Sequence, residues 1–307
     1  MDFVDQVDSS WDTAVQVVRT IVSPPSALSR LVRLSWGGTI AMKDFITSFN
    51  MSRIDQACVI RAAQLIEPEV AELEAAITTL GFRTASAVAA IHFISQELIT
   101  RTSSERIWMP ISRHMMNSIE IGYHFGVNAT ALGPDSGLLI GFAQALGSSL
   151  LLSLGVKDLT EVRTFLRDGA TNNEFLGRFE CEPCQVASLT LQRLGFGLDL
   201  SSAAVMAVGN LNYADASNDP VVKDWRAASD WIYSLTHGRR TPSRSESAKR
   251  FAELVPPESS SSTLPLHLQS LYSQVDAIRE LHSTWTWHLP MSSYQETAEL
   301  LNKAKIS

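Results

Sequence analysis

Between residues 136 and 155 the chain reads SGLLIGFAQALGSSLLLSLG, without one charged side chain and with Gln144 and four serines as its polar residues. Such a segment must leave water, either as the central helix of a bundle or as a membrane span. Leu138, Phe142, Leu146, Leu150 and Leu154 recur every four residues, and Gly141, Ala145 and Ser149 form a second row at the same spacing. A helix with this pattern is bulky on one side and small on the other, and small side chains let a neighbouring helix come close. The run has the roughly 20 residues that a bilayer requires. Asp135 precedes it, however, Lys157 and Asp158 follow it, and no basic cluster marks a cytoplasmic side. The expectation is a buried helix with partners on most of its faces, and no membrane span.

The rest of the chain supplies helical partners. Trp11, Ala14, Val15, Val18, Ile21 and Val22 share one face of a helix over 10–22, with Ser9 and Asp12 spaced as a capping box and Pro24-Pro25 closing it. Further helices are expected over 26–36, closed by Gly37-Gly38, and around Phe45, Ile46 and Phe49. Others run from a cap at Ser52 to Pro68, over 69–80 with Gly81 as a left-handed cap, over 85–100 and over 104–126. After the central run come 158–167, 174–181 and a helix from Pro183 to Gly195. Residues 220–237 start on Pro220 and turn Val222, Trp225, Ser229, Ile232 and Leu235 inward. A short helix lies around Phe251, and Leu266 to His282 sets Leu268, Leu271, Val275, Ile278 and Leu281 in register. The basic, Ser-rich segment 237–247 and the low-complexity segment 256–263 read as exposed loops. No alternating run of β-branched residues stands between turn signals. The fold class is therefore all-α, a multi-helix bundle of roughly a dozen helices.

With 307 residues, 45% of them hydrophobic, the chain can bury a sizeable core. Its net charge of −7 argues against a nucleic-acid partner. Three cysteines, Cys58, Cys181 and Cys184, are too few for a disulfide framework. The acidic N-terminus does not read as a signal peptide, and the expected location is the cytoplasm.

Gly141-Phe-Ala-Gln-Ala-Leu-Gly147 resembles the G-L-L-H-D-I-G segment of the HD superfamily, in particular its HDOD (HD-related output domain) branch. Other segments resemble the same family. Ser23-Pro-Pro25 is similar to its Pro-rich N-terminal stretch, Val59-Ile-Arg-Ala-Ala-Gln-Leu65 to "ILRLANS", and Ala76-Ile-Thr-Thr-Leu-Gly81 to "AI..LG". Ile107-Trp108 is similar to the "LW" that opens the HD-like half, and Glu180 holds the family's Glu position. The resemblance covers about residues 22 to 235. It implies an N-terminal helical subdomain (1–103) packed on an HD-like helical core (104–237), leaving 238–307 as a C-terminal extension.

The polar sites of the pattern are replaced almost throughout. In HD phosphohydrolases the His-Asp pair binds a divalent metal that polarises phosphate and activates water. Here that pair falls on Gln144 and Ala145, and a carboxamide and a methyl group are not metal ligands. The Asn-Ser of "LANS" falls near Ala63 and Gln64, the first metal His near Met109, Pro110 and Ile111, a later His near Pro183 or Cys184, the Trp-Gly near Leu194-Gly195, and a final His pair near Gly209-Asn210. His114 and His124 lie off the motif and read as surface or core histidines.

Cys181-Glu-Pro-Cys184 has the C-x-x-C spacing of a redox pair or half a zinc site. No second pair of zinc ligands stands nearby and no βαβ setting surrounds it, so buried free thiols at a helix start are expected, with a reversible disulfide as the other reading. Gly133, Gly137 and Gly141 lack the strand and the Lys-Ser/Thr of a phosphate-binding loop. Trp285, Trp287 and His288 are expected to pack back on the bundle, and Arg239, Arg240 and Arg244 to lie in a solvated loop. The expected function is thus a non-catalytic signalling module with no catalytic residue, no metal and no cofactor. Its partner would be another signalling protein or a small regulatory ligand; the alternative is a metal-dependent phosphohydrolase with other ligands.

Overall fold

The computed structural model describes residues 3–49, 53–102, 104–167, 171–208, 220–255 and 264–285. Within them lie fourteen α-helices, one 3₁₀ turn (Ala252–Leu254) and no strand. The first five helices are α1 (Phe3–Ile21), α2 (Ser26–Trp36), α3 (Met42–Phe49), α4 (Arg53–Gln64) and α5 (Leu73–Arg101). At the centre are α6 (Glu105–Asn128) and α7 (Pro134–Gly155), followed by α8 (Leu159–Arg167), α9 (Asn172–Phe179), α10 (Pro183–Leu194) and α11 (Leu198–Val208). The chain continues through α12 (Pro220–Thr236), α13 (Ser245–Arg250) and α14 (Leu266–Leu281).

The apolar run is α7, and its small residues set the architecture. A Cβ on Gly137 would lie 2.2 Å from Gly122 O, and one on Gly141 would lie 2.3 Å from Ser118 O. Gly122 and Gly126 of α6 meet Gly137 and Gly133 just as closely, so α6 and α7 run antiparallel with their backbones in contact. The neighbouring row of α7, about 100° round the helix, carries Leu138, Phe142, Leu146 and Leu150, all buried. Helices α5, α10, α11 and α12 pack around it. Both α5 and α7 are long and apolar enough to cross a membrane, but 61% and 83% of their apolar windows are buried inside the bundle.

The N-terminal helices dock on this centre through α5 and α10. At the end of α1 the Arg193 guanidinium of α10 donates to Val18 O, which also accepts from Val22 N–H, and to Val22 O, at 3.0 and 2.6 Å. Ser29 Oγ donates back to Arg193 O at 2.9 Å. On the other side, Trp231 Nε1 of α12 donates to Ser247 O at 2.9 Å, which holds α13 against the bundle. Trp285 is buried against Tyr123, with ring centroids 5.3 Å apart, as expected of a tail that packs back.

Several expected details differ. α1 begins at Phe3, so Ser9 lies inside the helix and does not cap it. The helix expected over 69–80 starts instead at Leu73; it does break at Gly81 with a positive φ of 77°, as expected, but with ψ 157° rather than in the left-handed helical region, and the next helix follows so directly that the two form the kinked α5. Leu154 and Leu281, placed inward by periodicity, are 40% and 78% exposed, because each sits in the last turn of its helix, beyond the packed neighbours. The segment 237–247 is an exposed loop up to Arg244, as expected, but it is tied to the bundle. Asp230 accepts from the backbone N–H groups of Ser243 and Arg244, Arg240 pairs with Asp276 at 2.8 Å, and α13 begins at Ser245. Helix α11 was not expected at all. Ser52, Gly209-Asn210, 256–263, Trp287 and His288 lie outside the described residues.

Candidate functional site

Gln144 and Ala145 stand midway along α7, and they face different surroundings. Ala145 is 1% exposed, in the row of small residues. Gln144 reaches toward α12, where its Nε2 donates to Ser229 O at 3.3 Å, while its Oε1 is buried without a partner. Beside Gln144 lies a cavity of about 100 Å³ built by seven helices. α6 contributes His114 and Ser118, α7 Ser148, α8 Phe165 and Leu166, α9 Asn172 and Phe175, α10 Pro183 and Cys184, α11 Val208, and α12 Tyr233 and Thr236, with His237 just beyond its end. Gln144 and Cys184, both singled out in the sequence, line the same cavity.

The cavity wall is kept in place by packing from both sides. Phe165, Phe175 and Phe179 form a ring cluster between α8 and α9, with centroids 4.9 to 5.9 Å apart. Thr171 and Glu174 form a reciprocal capping box that starts α9 beside Asn172. Pro183 begins α10 at its first turn, and Gly147 of α7 lets Pro183 come close: a Cβ there would lie 1.8 Å from Pro183 O.

The lining is electrically quiet. Burial, helped by nearby His237, pushes the His114 pKa down to about 4. Burial also lowers His237, outweighing the hydrogen bond from its Nδ1 to Tyr233 O at 2.8 Å, and raises the Tyr233 phenol. Both imidazoles and the phenol are therefore neutral near pH 7. The two His rings meet edge to face at 5.9 Å. No Asp or Glu lines the cavity, and Cys184 Sγ donates to the Glu182 carboxylate at 3.2 Å, as a protonated thiol does.

This donor set does not fit the divalent metal of HD-type enzymes. Such an ion needs several convergent carboxylates and imidazoles, and among the described residues no three His, Cys, Asp or Glu side chains are grouped to hold one. The volume is also small. A cavity of 100 Å³ has room for about three waters, whereas ligand pockets run to roughly 300–1,000 Å³.

The other candidates lie apart from the cavity. Glu180, at the family's Glu position, is exposed and adopts the left-handed C-cap of α9 at φ 60°. His124 sits 3.8 Å from Glu120 of its own helix. Cys181 is buried, and burial with the Glu180 and Glu182 charges pushes its thiol up to about 11; burial also raises Cys58. All three cysteines are free thiols. With so little thiolate at pH 8, a thiol reagent such as Ellman's should label fewer than one cysteine per native chain within minutes and all three in denaturant. Rapid native labelling of Cys181 or Cys184 would support a redox pair. The sequence offered no signal for Tyr233 and His237, which stand one turn apart at the end of α12 where the chain turns basic.

No protein-family model matches the sequence, and no curated protein matches it significantly. Solved structures do match. The crystal structure of an HDOD domain protein of unknown function from Geobacter sulfurreducens superposes with a TM-score of 0.60 at 12% identity, covering 93% of this chain and 100% of that one. A candidate phosphohydrolase from Shewanella amazonensis SB2B gives 0.60 at 14% identity, covering 91% and 98%. The chain therefore shares the all-α fold of these two structures, an HDOD domain protein among them, with a sequence that has little in common with either.

Proposed function

We propose that this chain is a non-catalytic regulatory module that keeps the HDOD-like bundle and acts by binding another signalling protein or a small regulatory ligand. The observation that carries the reading is Gln144-Ala145 at the place of the metal-binding His-Asp pair, beside a cavity with no carboxylate in its lining. A hydrolase of this type needs a charged metal to stabilise the phosphoryl group and to make hydroxide from water. Neutral His114, neutral His237 and a carboxamide supply neither. What remains is a small cavity with packed aromatic rings on one wall, suited to holding helices in position.

The test is an assay of the purified full chain against nucleotides, cyclic dinucleotides and simple phosphoesters, after loading with Mn²⁺, Mg²⁺, Fe²⁺ or Zn²⁺ and after chelation. The expected result is no turnover above the blank under any condition, and no metal retained in stoichiometric amount after gel filtration. Turnover that follows metal content and disappears with chelator would establish the alternative, a phosphohydrolase with other ligands.

A further inference from the structure

We propose that the face of α6 bearing Asn117, Glu120 and Tyr123 is a docking site for a non-helical peptide segment with two successive hydroxyl residues followed by tryptophan, and that residues 283–285 of this chain fill it in cis as an autoinhibitory strap. The site gives the protein-binding reading above, on which it rests, a surface and a partner chemistry. Peptide binding and turnover are separate measurements, so either reading can fail without the other. None of these three residues lines the Gln144 cavity.

The strap itself shows what the site takes. Beyond α14 the chain lies on α6 outside any helix, and its main chain makes the first attachments: the N–H of Ser283 donates to Asn117 Oδ1 at 2.9 Å, and that of Thr284 to Glu120 Oε2 at 3.0 Å. Both hydroxyls add to this, Thr284 Oγ1 donating to Glu120 Oε1 at 2.7 Å and Ser283 Oγ to Glu120 Oε2. Trp285 then buries its ring to 5% exposure, with its centroid 5.3 Å from that of Tyr123. Glu120 is only 3% exposed, and three of the hydrogen bonds that make a charge tolerable there come from the strap. A buried carboxylate placed against the N–H and O–H groups of a segment selects for donors. An Asp, a Glu or a phosphorylated hydroxyl at either of the first two positions would set a second anion against Glu120 and be rejected.

The strap is attached at a cost. His282, which turns the chain from α14 onto α6, takes φ 63° and ψ 174°, a region that only glycine occupies without strain. α14 is fixed independently by Leu268, Leu271, Val275 and Ile278, all buried, so the strap can lift while the helix stays. Glu120 and Tyr123 belong to α6, whose backbone is locked against α7, so the site keeps its shape when it empties. Tethering favours the strap over a free peptide, and the bend at His282 opposes it. A partner's segment needs no such bend.

Fluorescence anisotropy of a labelled acetyl-Gly-Ser-Thr-Trp-Gly-amide peptide with the full chain tests this. The peptide should bind a Ser283→Gly, Thr284→Gly, Trp285→Ala variant at least about ten-fold more tightly than the wild type, because apparent affinity scales with the fraction of sites left open. Adding Glu120→Ala to that variant, where it strands no donor, should abolish binding, and a peptide with Asp in place of Ser should not bind. In hydrogen exchange of the wild type, the Ser283 and Thr284 amides should exchange ahead of those of α14, and His282→Gly, which relieves the bend, should slow them. If the triple variant does not fold, Trp285→Ala takes its place. A strap-open variant that binds no more tightly than the wild type would overturn the proposal. So would binding that survives Glu120→Ala, equal binding of the Asp peptide, amides at 283 and 284 that exchange only together with α14, or exchange unchanged by His282→Gly.

Discussion

Gly137→Ala should destabilise the protein by about 3 kcal/mol or more, the upper end of what overpacking costs, although alanine is the better helix former by roughly 1 kcal/mol. The new Cβ would lie 2.2 Å from Gly122 O, 2.8 Å from Gly126 N and 2.9 Å from Gly126 Cα. All three are backbone atoms of α6, so no side chain can swing aside, and the two helices must separate along the whole of their contact. Separation would also loosen the buried row of Leu138, Phe142, Leu146 and Leu150. The internal control is Gly177→Ala on α9, where a Cβ meets nothing within 4 Å. That change should leave stability unaltered or raise it by up to roughly 1 kcal/mol. Chemical denaturation of both variants gives the comparison, and a Gly137→Ala protein as stable as the wild type would mean that α6 and α7 do not touch in this register.

Part of that contact was legible beforehand and part was not. The spacing of Gly141, Ala145 and Ser149 marks a small-residue row, because periodicity is a property of one helix at a time. Which row it meets is a property of two helices, and Gly122 and Gly126 stand in the sequence only as gaps in an amphipathic pattern. The ends of α2 were readable because Pro25 and Gly37 act locally on the backbone. The start of α1 was not, since Ser9 offers a cap that the helix passes over; the break at Gly81 was, because a glycine takes a positive φ without cost. α11 escaped notice because LDLSSAAVMAV is too short and too evenly apolar to show a face.

The candidate sites divide in the same way. Gln144-Ala145 could be placed by a motif because the motif is a contiguous segment, and the structure brings Gln144 to a cavity with His114, Tyr233 and His237. His114 lies more than a hundred positions before Tyr233 and His237, and no local signal joins them. Glu120 and Ser283 stand 163 positions apart, and their contact likewise becomes visible only once the chain beyond α14 is packed on α6. In both places, residue types alone pointed to ordinary positions; the chemistry lies in which groups the packing brings together.

The second large effect expected is at Glu120, which is 3% exposed and fastens the C-terminal segment to α6. Its carboxylate accepts from Thr284 N at 3.0 Å, from Thr284 Oγ1 at 2.7 Å and from Ser283 Oγ, with His124 Nε2 3.8 Å away. Burial alone would raise its pKa, but nearby His124 and the hydrogen bonds from Ser283 and Thr284 outweigh burial and hold it below the usual 4.5. A carboxyl group depressed in the folded state adds stability that is complete above its unfolded pKa and is lost as pH falls through the folded value. The wild type should therefore weaken progressively below about pH 4.5. Glu120→Ala strands the Ser283 and Thr284 donors in a buried site and should cost roughly 3 kcal/mol at pH 7. Glu120→Gln keeps the shape and loses the charge, so it should be less stable than the wild type at pH 7, with the gap closing as the wild-type carboxyl becomes protonated. Thermal unfolding of the three proteins from pH 7 to pH 3 reads this directly. A gap between Glu120→Gln and the wild type that stays constant across that range would show that the charge of Glu120 does not hold Ser283 and Thr284 against α6.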